Sequence, residues 1–109
     1  MSHDEMLKLF MRSIIRHINL KYIFASVQMD VDESMGRFSI ICQVNPHFYF
    51  IIDKSQILGL SRYTDMSSEE SIALLMNDDN RPDILNRQIE KCVDNCWLDM
   101  IRRDCKSFT

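Results

Sequence analysis

Four cysteines and three histidines are the residues of this chain with the chemistry to hold a metal ion or attack an electrophile. Cys92 and Cys96 stand one helical turn apart, Cys105 follows further along, and Cys42 lies far upstream. Thiolate and imidazole are the ligands zinc prefers, so the group invites a metal reading. Structural zinc sites, however, recruit Cys-x2-Cys turns that wrap backbone around the ion, whereas Cys92 and Cys96 share an apolar helical stripe with Leu85, Ile89 and Met100. The spacing therefore predicts core thiols, with no metal and no cofactor. A disulfide within one regular helix is also disfavoured, because the Cβ vectors run alongside each other instead of converging. A Cys/His nucleophile needs a base and an orienting group close in space, and His3, His17 and His47 are scattered. His17 beside Arg16 and His47 in a proline turn are expected at the solvated surface. No glycine-rich phosphate loop, G-x-S-x-G or H-E-x-x-H occurs, and only two glycines are present. No catalytic residue is assigned, and the chain is expected not to be an enzyme.

Two further groups could contact a partner. Lys8, Arg12 and Arg16 recur every four residues and so line one helix face, with Lys21 just beyond; such a stripe could track a phosphate backbone. The run Phe48-Tyr49-Phe50-Ile51-Ile52 is continuously aromatic and β-branched, as in a strand covered on both faces or placed at an interface. In a sheet with helices on one face, alternate residues of that strand lack cover. Tyr22 and Phe24, read as the outer face of a first strand, could join them in an aromatic patch.

Positioning these groups requires three hydrophobic regimes. Ser2 and Glu5 stand in capping-box relation, and Met6, Phe10, Ile14 and Ile18 follow at helical period. From Lys21 to Val31 the chain alternates, with Ile23, Ala25, Val27, Met29 and Val31 on one side, which predicts a half-buried strand. Asp32 to Gly36 is a polar turn whose glycine can take positive φ, and Phe38, Ile40, Cys42 and Val44 resume the alternation as an antiparallel hairpin. Asn45-Pro46-His47 turns the chain into the third strand. Residues 53 to 66 read as a turn or brief helix, because Asp53 can cap but Gly59 interrupts. Ser67 and Glu70 repeat the capping-box pattern before a helix of two to three turns. Pro82 then opens a last helix of about six turns, acidic early and basic late in accord with its dipole. Its apolar stripe, Leu85, Ile89, Cys92, Cys96 and Met100, is widened by Val93, Trp97 and Ile101.

The fold class expected is α+β: α-β-β-β-α-α order, a three-stranded antiparallel sheet packed against the N- and C-terminal helices. Residues 1–109 should form a single α+β domain. The composition, 46% apolar and 27% charged, is that of an ordinary globule. No run approaches the roughly 18 apolar residues of a membrane span, and the N-terminus lacks the core of a secretory signal, so an intracellular, cytoplasmic or nuclear protein with reduced thiols is expected. The α-β-β-β-α order is similar to that of double-stranded-RNA-binding domains and of the small Alu-RNA-binding subunits of the signal recognition particle, a topological likeness that implies an RNA-binding alternative. The first of those families places lysines at the start of its last helix, where this chain reads Asp78, Asp79, Asn80, Arg81, Pro82, Asp83. An acidic loop there would repel phosphate, and the net charge is −3.

The function expected is therefore a non-catalytic protein-interaction module or complex subunit. It would act as a homodimer or with a hetero-partner through an aromatic sheet face (Tyr22, Phe24, Phe48, Tyr49, Phe50 and Ile52) and the last helix. The alternative is a nucleic-acid-binding module using Lys8, Arg12, Arg16 and Lys21.

Overall fold

A computed structural model describes residues 2–106, the side chains at 105 and 106 excepted. The first helix, α1 (His3–Lys21), starts where the capping pattern puts it, with Ser2 Oγ accepting the Glu5 amide at 3.2 Å. Strands β1 (Ser26–Asp32), β2 (Arg37–Asn45) and β3 (Phe48–Ile52) form one antiparallel sheet in the order β1-β2-β3. The β1–β2 turn closes on Gly36 at φ 67°, the one left-handed residue among those described. At the second turn Asn45 Oδ1 accepts the amides of His47 and Phe48, and the ladder slips between Gln43 and Asn45. Helices α2 (Lys54–Leu60), α3 (Glu69–Leu74) and α4 (Asp83–Lys106) complete the chain. The α+β class and its element order hold.

One sheet face carries the core. Val27, Cys42 and Phe50 lie in register across it, as do Met29, Ile40 and Ile52, and the row meets Phe10, Ile14 and Ile18 of α1 and Leu85, Ile89 and Val93 of α4. On the other face Gln28, Ile41 and Ile51 align, beside Ser26, Gln43 and Tyr49.

Three local readings differ from the sequence expectation. The first strand begins at Ser26, because extending its register would oppose residues 22–25 to Val44, Asn45, Pro46 and His47, a turn whose proline has no N–H to share. Of the turn or brief helix expected from Asp53 the brief helix forms, and it differs only in running through Gly59: the Asp53 carboxylate accepts the Gln56 amide at 2.9 Å and Gln56 Oε1 accepts the Asp53 amide at 3.0 Å, a full capping box. Helix α3 is capped one residue later than expected, by Ser68 onto Ser71, and is shorter.

Candidate interaction surface

The segment between α1 and β1 is extended, so consecutive side chains point opposite ways. Tyr22 and Phe24 turn inward. The Tyr22 hydroxyl donates to Asp94 Oδ1 at 2.9 Å and lies 3.2 Å from the Glu90 carbonyl, both on α4. Burial, and then the Asp94 carboxylate, push its pKa up. The Tyr22 ring stacks on Phe24, which in turn stacks on Trp97 at 6.1 Å and meets Phe50 edge-on at 5.7 Å. Ile23, fixed between these two anchors, is left at 102% exposure. A cleft lined by Tyr22, Ile23, Phe24, Val93, Asp94 and Trp97 adjoins it. Beyond Trp97 lies a largely apolar cavity of about 290 Å³, walled by Val44, Phe48, Trp97, Met100 and Ile101 and lined also by Asn45 and Asp104. Leu98 and Ile101 stand exposed on the same stretch of α4.

The aromatic patch thus exists in a different place from the one expected. Phe50, 5% exposed, and Ile52 belong to the core, because β3 turns its even-numbered residues toward the helices. Phe48 follows them and borders the apolar cavity. Of the β3 residues only Tyr49, 51% exposed, and Ile51 reach the other sheet face, where Ile51 lies opposite Ile41 amid glutamine and serine. Tyr22 and Phe24 are not on the sheet at all. They join Trp97, which lies half-buried on the broad apolar face of α4.

The basic stripe forms on α1, but three of its four members are engaged by carboxylates of the same chain. Lys8 Nζ meets Glu33 at 2.6 Å, Arg16 holds Asp78 through two bonds, and Lys21 lies 3.8 Å from Glu90. Arg12 is exposed and makes no ion pair among the described residues. A nucleic acid would have to displace these partners, and the acidic turn is already drawn onto the basic helix through Asp78. His17 is not solvated as expected: it is half-buried between α1 and α4, with Nε2 2.8 Å from Glu90 Oε2. His47 is exposed in its turn, and His3 lies 3.9 Å from Asp4.

Cys42 and Cys96 are buried and Cys92 is half-buried; the side chain of Cys105 lies outside the described residues. Among the described residues no three His, Cys, Asp or Glu side chains cluster in a way that could hold a metal ion. Burial pushes the Cys42 thiol up to about 12. The neighbouring Cys96, and then burial, push the Cys92 thiol up, while Cys92 draws the Cys96 thiol down against burial and the Asp99 and Asp53 carboxylates. No helix of the described residues is long and apolar enough to cross a membrane. Compared with models of protein families, with curated proteins and with solved structures, the chain matches none.

Proposed function

We propose that this chain is a non-catalytic interaction module that pairs with a second copy of itself through α4 and the Ile23 linker. The observation that carries the reading is Ile23: a β-branched apolar side chain, fully exposed, on backbone anchored at both neighbours, at the cleft it lines with Val93 and Trp97. A solvated linker gains nothing from such a residue, whereas an interface gains a rigid apolar contact with little ordering cost. Charge complementarity favours a second copy. Asp94 and Arg102 lie one turn to either side of Leu98 on α4. Antiparallel pairing of two α4 helices about Leu98 would set Asp94 against Arg102 of the partner subunit and oppose the two helix dipoles.

The test is absolute mass by light scattering on a size-exclusion column at low and high salt. A dimer is expected at both, reduced to a folded monomer by Leu98→Glu or Ile23→Asp, each of which adds a charge to solvent-facing positions. A wild-type chain that stays monomeric at both salts would overturn self-pairing. A dimer indifferent to both substitutions would move the interface elsewhere, with the sheet face around Tyr49 and Ile51 the next candidate.

A further inference from the structure

A cavity of about 320 Å³ lies between the end of α2, the turn that follows it and α4. Gln88, Lys91 and Asn95 reach it from α4, at the three- and four-residue spacing that puts side chains on one helix face, and Arg62 and Tyr63 line it from the turn. All five carry hydrogen-bond donors, and the side chain of none has a hydrogen bond or ion pair within the described residues. No carboxylate lines the cavity. That sets it apart in a chain of net charge −3, whose Lys8, Arg16, Arg37 and Arg81 each meet a carboxylate of the same chain. Asp53, whose charge reaches Cys92 in the cavity wall, is taken up by Ser55 and Gln56. The last carbonyls of α2, which would repel an anion, are turned to Ser61. Two cations and three neutral donors therefore converge with nothing of the chain's own to bind. Leu60 and the half-buried Tyr63 ring add apolar surface beside them.

We propose that this cavity binds a phosphate monoester of a small organic molecule. The Arg62 guanidinium takes two phosphate oxygens in its fork and the Lys91 ammonium a third, while the amides of Gln88 and Asn95 donate to the remaining lone pairs. A carboxylate, with two oxygens and one charge, would leave part of this donor set unused. A phosphate monoester brings three terminal oxygens and, at neutral pH, close to two charges. The cavity is at the small end of ligand pockets and leaves room beyond the phosphate. The organic part of the ester lies there, against Leu60 and the Tyr63 ring.

The experiment titrates the folded chain with phenyl phosphate, inorganic phosphate and benzoate at one ionic strength and neutral pH, following backbone and side-chain N–H shifts by NMR. Saturating shifts are expected at Arg62, Gln88, Lys91 and Asn95, with phenyl phosphate bound about tenfold more tightly than either of the other two. Arg62→Gln and Lys91→Gln should each weaken it about tenfold, the loss of one charge-assisted bond. Neither breaks a hydrogen bond or ion pair of the described residues, so Tm should hold. Arg12→Gln, at an exposed cation of α1 outside the cavity, should leave the affinity unchanged. Inorganic phosphate or benzoate bound as tightly as phenyl phosphate would overturn the monoester assignment. Shifts spread over Arg12 and other exposed cations, or an affinity that neither cavity substitution moves, would overturn the site itself.

Discussion

Arg81 brings its guanidinium into the interior, at 3% exposure, and finds an acceptor for each face of its fork. Nη1 donates to the Leu75 carbonyl at 3.0 Å and lies 3.4 Å from Ser13 Oγ, Nε donates to Asn86 Oδ1 at 2.8 Å, and Nη2 to Asp78 Oδ1 at 2.9 Å. Ser13 itself donates to the Leu75 carbonyl at 2.7 Å. One side chain therefore joins α1, the end of α3, the acidic turn and the start of α4. Nothing in the sequence marks it, because a lone arginine among acids reads as solvated; only the fold shows that its partners converge. Arg81→Met should lower stability by about 2 kcal/mol, since the Leu75 carbonyl and the Asn86 side-chain oxygen each lose an interior donor and Asp78 loses one of its two guanidinium partners, and Arg81→Lys should recover little because an ammonium cannot span divergent acceptors. Urea unfolding followed by circular dichroism measures both, as a lower midpoint at unchanged slope.

At the scale of elements, what the sequence made legible were features that local chemistry decides. Ser2 caps α1, Gly36 takes the left-handed turn position, and the period of two in β2 puts Phe38, Ile40 and Cys42 on the core side. What it hid depends on partners distant in the chain. Tyr22 to Ala25 alternate as a strand would, yet the proline turn that would face them has no ladder to offer, and the aromatic rings pack on α4 instead. The even-numbered residues of β3 read as either face until the register with β2 is known. Helix α2 was obscured by Gly59, which sits inside it with a helical neighbour on each side and open space where a Cβ would be. Gly59→Ala should therefore raise stability by roughly 0.5–1 kcal/mol through the lost freedom of the unfolded chain, read as an increase in Tm.

For the molecule as a whole, charge is mostly settled internally. The basic helix and the acidic turn, separate features in the sequence, meet at Arg16 and Asp78, and Glu90 gathers His17 and Lys21 onto α4. Four carboxyls are held below their usual range: Asp32 by the Ser34 hydroxyl, Asp53 by the Gln56 amide, Asp65 by Ser67 and Asp78 by the Arg16 guanidinium. A carboxyl whose folded pKa is depressed contributes stability that is present above its unfolded value, about 4, and is lost as pH falls through the folded value. Tm should thus be level from neutral pH to about 4 and decline below it. Asp78→Asn and Asp53→Asn should each make that decline shallower, a comparison that calorimetry across pH 2–7 makes directly.

The Tyr22 clasp also bears on the order of assembly. The strands pair across short turns, but the bonds from Tyr22 to Glu90 and Asp94, and from His17 to Glu90, each close a loop of about 70 residues. Contacts so far apart in sequence lose the most chain entropy and are made late, once nearby segments have already collapsed. Ile23 is held outward only when that clasp has shut. A nascent or partly unfolded chain therefore lacks the presented isoleucine, and recognition through it would be confined to molecules whose two ends have already met.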